Sequence, residues 1–214
     1  VSLVAQGGEC RRMMGLALKN VGLTLYQDGK SIFQEQGEAL FTHFGLSGPL
    51  VLSASAHLGD LAKHRYEVGF DLKPALSHEQ LYTRLNRDLT ALANRDAANC
   101  LVKLLPASMQ PVMVERWGVD PAKKANQLTK EERLALVDLM KDFRIRIRDR
   151  GDLEHAVITS GGVAVKEVDP RTMASKKCPG LYFAGEVLDV DAYTGGYNLQ
   201  IAWCTAQAAA RGLA

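Results

Sequence analysis

The spacing of apolar residues along the chain changes period twice, and the changes divide it into segments. Over residues 16–27 the apolar positions Leu16, Leu18, Val21, Leu23 and Leu25 partly alternate, Asp28-Gly29 follows, and residues 30–34 continue the β-prone run. A period near two argues for strands. Asp-Gly between two such runs favours a type I′ hairpin, whose positive φ values match strand twist. A third strand is predicted over 38–42, completing an antiparallel meander, and Tyr66, Val68, Phe70 and Leu72 mark another half-buried strand over 65–72.

The period then becomes helical. Ser77 with Gln80 spells a capping box, and Leu81, Leu85, Leu89 and Leu92 form one stripe, predicting a helix to about Ala93. Shorter helices are expected over 99–105 and 108–117, separated by Pro106. Another opens at Thr129 with Glu132 and carries Leu134, Val137, Met140 and Phe143. Met109, Met113 and Trp117, at i, i+4 and i+8, read as core rather than as a ligand-facing set. Alternation returns at Arg144–Arg148, a predicted strand that buries Ile145 and Ile147 and turns its guanidinium groups outward. Asp149 and Asp152 are expected as their partners, and a phosphate or nucleic-acid grip is the other reading of that row.

Short apolar runs at 155–159 and 181–184 read as buried strands, and 198–210 as a helix rich in Ala and Leu. The fold class expected is therefore α+β. A β-rich domain covers 1–75, a helical subdomain 76–143, and a closing strand-loop-helix part 144–214.

Composition narrows the class further. With 47% hydrophobic residues over 214 positions the chain buries a sizeable core, and a formal net charge of +2 gives no electrostatic case for a nucleic-acid or membrane partner. No apolar run is long enough to span a bilayer. Cys10, Cys100, Cys178 and Cys204 are scattered without a Cys-x-x-Cys pair, so no metal site is expected, and reduced thiols suit a cytoplasmic location.

Candidate chemistry gathers where the apolar runs stop. Gly185 and Glu186 end the 181–184 run, and the polar stretch from Asp189 leads to Gly195-Gly196 and the start of the last helix. Glycines let main chain take positive φ or approach a ligand closely, and the free N–H groups of a helix start favour an electron-rich ligand. The same pieces also make an ordinary α/β crossover. A second pair, Gly161-Gly162, ends the 155–159 run, and Asp169-Pro170 is expected to cap a single turn. Near the β-rich domain, Ser47 is expected to cap a helix with Pro49 in its first turn. His43 at that junction either bonds the helix start or donates a proton to a substrate.

Three stretches carry a resemblance. Residues 180–189 (GLYFAGEVLD) with 194–200 (TGGYNLQ), residues 37–49 (GEALFTHFGLSGP) and residues 158–173 (ITSGGVAVKEVDPRTM) resemble, in order, the aminoacetone-oxidase and bile-acid-reductase-like family of FAD-dependent oxidoreductases. That family lies within the glutathione-reductase-like flavoproteins. The resemblance implies that the β-rich part is an inserted domain and that the closing part belongs to a Rossmann-like FAD-binding domain. No Gly-x-Gly-x-x-Gly occurs here, so the chain corresponds to the family's C-terminal half and by itself should not hold FAD tightly.

By the same resemblance Gly161 and Gly162 lie beside the flavin. Gly195, Gly196, Tyr197, Asn198, Leu199 and Gln200 would offer amides to its pyrimidine edge, while Asp189, or equally Glu186, reaches the ribityl or phosphate side. Reduction by NAD(P)H follows from the group alone, and the expected partners are FAD and a small-molecule substrate. Two other classes stay open: a non-catalytic binding module, and a flavoprotein acting on RNA.

Overall fold

The computed structural model describes residues 1–152, 154, 156–158, 160–193 and 195–213. It contains two compact units, Val1–Gly151 and Asp152–Ala214.

The first unit is a closed antiparallel barrel with a helical block. Its strands are β1 (Leu3–Ala5), β2 (Ala17–Gln27), β3 (Lys30–Phe41), β4 (Gly45–Ser47), β5 (Tyr66–Asp71) and β6 (Phe143–Arg150), paired in the order β1-β4-β3-β2-β5-β6 and back to β1. The mixed α and β architecture expected from periodicity is thus present. The Asp28-Gly29 hairpin is present as well. Asp28 (φ 51°) and Gly29 (φ 83°) both take the positive values a type I′ turn demands. Asp28 also accepts the Arg65 N–H at 2.9 Å and meets His64 Nδ1 at 2.6 Å, and these two contacts, the amide first, hold its carboxyl below the usual range.

The imperfect alternation in β2 has a structural cause. Leu18 pairs with Ala39 but Val21 with Gly37, so β2 carries one residue more than β3 over this step. That bulge resets the phase and lets Leu18, Val21, Leu23 and Leu25 all point inward, where they meet Leu3, Phe41, Leu46, Val68, Phe70 and Ile145.

Several expectations are corrected. Residues 38–41 are not a third strand but the end of the 12-residue β3, because the chain bends back only at residues 42–44. The helix α2 (Pro49–Ser55) has Gly48, with φ 94°, at its N-cap; Ser47 does not cap it and instead meets the Ser2 hydroxyl at 3.0 Å. A side chain at Gly48 would crowd the backbone of Ala39 and Leu40, which explains the glycine there.

The helical block holds α3 (His78–Ala91), α4 (Gln110–Trp117) and α5 (Lys130–Lys141), with the four-residue α1 (Glu9–Arg12) near the start of the chain. Both capping boxes form, at Ser77 with Gln80 and at Thr129 with Glu132. Leu81, Leu85 and Leu89 are buried, as are Met109, Met113 and Trp117, whose indole N–H donates to the Glu132 carbonyl at 2.7 Å. No helix forms over 99–105. A single 3-10 turn, Ala97–Asn99, is followed by turns, since the segment lacks a capped start and Pro106 cuts it short. Phe143 begins β6 rather than ending a helix.

Arg116 ties the block to the barrel. It pairs with both carboxylate oxygens of Glu9, donates to the Arg144 carbonyl and lies 4.6 Å over the Phe143 ring. On β6, Ile145 and Ile147 are buried as expected, but Arg144 is held by Asp142 at 2.7 Å and Glu67 at 3.4 Å rather than by the acids that follow it. Arg150 donates to the carbonyls of Leu58 and Gly59.

The second unit contains the helix α6 (Tyr197–Leu213) and short turns, with a small core of Val168, Met173, Leu188 and Ala209. The 181–184 run is not a strand: Tyr182 makes one bridge, to Ala174. Within this unit Ala174 and Ser175 offer the run only a short edge to pair with. Of the strand expected over 155–159, His155 and Thr159 lie outside the described residues, and Ala156, Val157 and Ile158 carry no strand pairing. Asp169 does close one turn, accepting from Arg171 N–H at 2.8 Å through its carboxylate and from Met173 N–H at 2.7 Å through its carbonyl. Among the described residues no helix is long and apolar enough to cross a membrane.

Candidate cofactor site

The glycine-bearing segments singled out in the sequence meet within the second unit. The Val163 N–H donates to the Val187 carbonyl at 2.8 Å and the Asp189 N–H to the Val163 carbonyl at 2.9 Å, a parallel bridge that lays 162–163 beside 187–189. Gly162 is needed for that approach. A Cβ there would stand 2.5 Å from the Val187 carbonyl oxygen and 3.0 Å from the Asp189 nitrogen. Gly161, with φ 98°, faces open space instead.

Gly185 opens the 3-10 turn Gly185–Val187 with φ 73° and donates its N–H to the Thr205 hydroxyl at 2.9 Å. Thr205 in turn donates to the Ile201 carbonyl at 2.7 Å. The turn that carries Glu186 is therefore fastened to the third helical turn of α6. Glu186 and Asp189 are both exposed.

Asn198 holds the start of α6. Its side-chain oxygen accepts from the Ala192 N–H at 2.8 Å and its side-chain amide donates to the Ala192 carbonyl at 2.7 Å, a two-point clamp on the main chain of one residue. Gly195 (φ 125°) and Gly196 (φ 91°) precede the first helical residue. A Cβ on Gly196 would meet nothing within 4 Å. The first N–H groups of any helix lack intrahelical partners, so those of Tyr197, Asn198 and Leu199 point out of the helix start. The Gln200 N–H does not: it donates to the Gly196 carbonyl at 3.0 Å, while its side chain donates to Cys204 Sγ at 3.1 Å.

The arrangement presents a row of main-chain donors at a positive helix end, beside open glycines with no Cβ to obstruct a flat ligand. A planar heterocycle with carbonyl groups along one edge fits it. Elsewhere on this unit Lys177 holds the Glu167 carboxyl below its usual range through a 2.7 Å pair.

His43 belongs to the first unit, exposed in the turn between β3 and β4, where its ring stands edge-on to Phe44 at 5.0 Å. That turn is closed by Thr42 and Gly45, and the start of α2 rests on Gly48. The sequence did not point to Thr205, which anchors Gly185. Its only signal was a single Thr in an otherwise Ala- and Gln-rich helix.

A family model described as the HI0933-like protein barrel and H2TH domain matches residues 3–158. The chain is 34% identical over 207 residues to the ribosomal RNA dihydrouridine synthase of Escherichia coli K12, covering 96% of this chain and 48% of that protein. It is 31% identical over 192 residues to the 3-dehydro-bile acid delta(4,6)-reductase of Clostridium scindens, covering 87% and 46%. The Haemophilus influenzae ribosomal RNA dihydrouridine synthase is 34% identical, with 85% and 43% covered. The chain thus spans about half the length of the curated relatives it matches. Two of the three are named for ribosomal RNA, so they lend no support to the expectation of no nucleic-acid partner, and the resemblance to bile-acid reductases is shared with them. The matched family model spans the barrel and the helical block described above, and the chain belongs to the HI0933-like family.

Proposed function

We propose that the second unit supplies the ring side of an FAD site in a reductase that adds a hydride and a proton across a conjugated C=C bond. The observation that carries this reading is Gly196: positive φ, open space where a Cβ would stand, and a helix start whose N–H groups face outward beside it. Gly161, Gly162, Gly185, Gly195, Gly196, Tyr197, Asn198 and Leu199 would line the ring. Asp189 or Glu186 would bond the polar chain leading from it.

The names of the relatives support the chemistry. One set produces a dihydro form of a pyrimidine and the other reduces a bile acid with double bonds at positions 4 and 6, so a conjugated C=C bond is the shared acceptor. A reduced flavin held by these residues would supply the hydride, with NAD(P)H as the proposed source of electrons. Helix-start N–H groups would stabilise negative charge at the ring's carbonyl edge. His43 is the candidate proton donor carried by this chain.

The test is purification of the gene product that contains this chain, followed by chromatography of what heat or acid releases. FAD in near-stoichiometric amount is expected, with oxidation of NAD(P)H when a conjugated acceptor is added. A colourless product that gains no flavin on incubation contradicts the proposal.

A second reading concerns the substrate alone. Exposed Arg65 and Arg146 line one hollow of about 370 Å3 on the barrel, and Arg148 is exposed further along the same strand, which favours an RNA acceptor of the kind two relatives are named for. Asp28 and Glu67 share that hollow and weaken its positive field. RNA binding that weakens steeply with salt, and falls in an Arg65→Ala/Arg146→Ala variant, selects RNA over a small molecule.

A further inference from the structure

The helical block of the first unit carries a concentration of charge that neither the flavin site nor the barrel hollow uses. A hollow of about 550 Å3 is lined by Leu76, Glu79, Gln80, Thr83, Arg84 and Arg87. All but Leu76 belong to α3 and stand three and four positions apart, so they share one side of the helix. The wall beside them is held in place. Lys141, paired with Asp71, donates to the Leu76 carbonyl at 2.8 Å and to the Lys73 carbonyl at 3.3 Å, which fixes the turn that leads into the helix. Gln80 accepts from the Ser77 N–H through its side-chain oxygen, and its amide N–H groups stay available as donors.

The two arginines are positioned but not satisfied. Beneath them lies Asp88, a carboxylate only 5% exposed. It meets Arg87 at 3.4 Å and Arg84 at 3.7 Å, well beyond the span of a charge-assisted hydrogen bond. Arg84 Nε and Asp88 Oδ2 are both buried and have no hydrogen-bond partner. Each guanidinium is a fork of N–H donors, and among the described residues each gives one hydrogen bond to a protein acceptor, Arg84 to the Lys103 carbonyl at 3.5 Å and Arg87 to Asp88. Positive charge also accumulates around them. The exposed Lys103 adjoins Arg84, while burial first and the Arg84 charge second hold the Lys73 ammonium below its ordinary range. Glu79 is the one acid in the lining, whereas Asp28 and Glu67 balance Arg65 and Arg146 in the barrel hollow.

We propose that this face of α3 binds a phosphate group, with Arg84 and Arg87 as its cationic grip and Thr83 and Gln80 as neutral donors. Paired N–H groups of a guanidinium match two oxygens of a phosphate, and the remaining oxygen can accept from the hydroxyl or the amide. Leu76 gives the organic part of the ligand an apolar wall. An RNA backbone and a phosphorylated small molecule share this chemistry.

The test uses the gene product that carries this chain and three probes. Inorganic phosphate and uridine monophosphate are followed by broadening of their phosphorus resonances, and a labelled single-stranded RNA by fluorescence anisotropy. The share of the hollow is what Arg87→Glu removes, since Arg87 has a side chain 73% exposed and its replacement leaves Arg84 beside Asp88. Saturable phosphate binding is expected, weakened about tenfold in Arg87→Glu and partly restored in Arg87→Lys, with the melting temperature unchanged in both. RNA bound more tightly than the mononucleotide, with a salt slope that falls by about one in Arg87→Glu, assigns the phosphate to an RNA backbone. A mononucleotide bound as tightly as RNA assigns it to a phosphorylated small molecule. Phosphate binding that is equal in the parent and Arg87→Glu, or that never saturates, overturns the inference. RNA binding that depends on Arg65 and Arg146 but not on Arg87 overturns it too, and leaves the RNA reading of the barrel hollow standing. Flavin content and NAD(P)H oxidation enter none of these outcomes, so the inference and the proposed function fail separately.

Discussion

Cys10 and Asn198 show how little of a residue's role is fixed by its type. Cys10 is buried in α1, and burial first, with the Glu9 carboxylate second, pushes its thiol up to about 12 from an ordinary 9.0. The fold thus favours the neutral thiol. Its contribution is complete below about pH 9 and is lost as the pH rises through about 12, at a limiting slope of about 1.4 kcal/mol per pH unit. Urea denaturation between these limits should show stability falling with pH in the parent and a shallower fall in Cys10→Ala; equal slopes would show that another group carries the effect. Asn198 was legible only as a residue beside two glycines, expected to offer its amide to a ligand. The structure spends its side chain on Ala192, because an amide is among the few groups that can donate to the carbonyl and accept from the N–H of one residue at once. Asn198→Asp removes the donor and sets a carboxylate against a carbonyl, so flavin affinity should drop several-fold in the gene product while the barrel, in the other unit, keeps its melting transition. Unchanged affinity would mean that the clamp does not shape the site.

At the scale of elements, what could be read from local pattern was read, and what depended on a distant partner was not. The capping boxes at Ser77 and Thr129, the Asp28-Gly29 hairpin and the leucine stripe of α3 are written within a few residues of one another. Thr129→Ala should cost about 1 kcal/mol, measured by urea midpoint, since it leaves the Glu132 N–H without its side-chain acceptor. No loss on this substitution would show that water replaces the cap. The 181–184 run looked like a strand because apolar and aromatic residues suit pleated, half-buried surfaces, but a strand exists only beside a neighbour. Residues 99–105 failed as a helix for the converse reason, having apolar positions without a capped start. Arg116 illustrates the distant kind. Its partners Glu9 and the Arg144 carbonyl are 107 and 28 positions away, and no motif announces them. Arg116→Ala should destabilise the first unit by about 3 kcal/mol, because it leaves Glu9 unpaired in a partly buried place. A loss within the range of an exposed ion pair would instead make Arg116 a surface contact.

For the whole molecule, barrel closure was the least legible feature. The three residues of β1 pair with both β4 and β6, so the ends of the first unit meet across nearly its full length. Period-two patterning says that strands exist and not which edges join, and a three-residue strand hardly registers as a pattern. The second unit was legible as motif and illegible as architecture, since its glycines carried the resemblance while its core is too small to leave a periodic signature. The proposed flavin site rests on that unit, and the sharpest measurement separates ligand contact from backbone strain. Gly196 and Gly180 have similar φ values, 91° and 81°, and a Cβ on either meets nothing within 4 Å, so alanine strains both equally. Flavin affinity and melting temperature are to be measured for Gly196→Ala and Gly180→Ala in the gene product that carries this chain. Similar losses of stability, with flavin affinity reduced only in Gly196→Ala, are the predicted result. Equal flavin affinity in the two variants would contradict a flavin ring lying against Gly196.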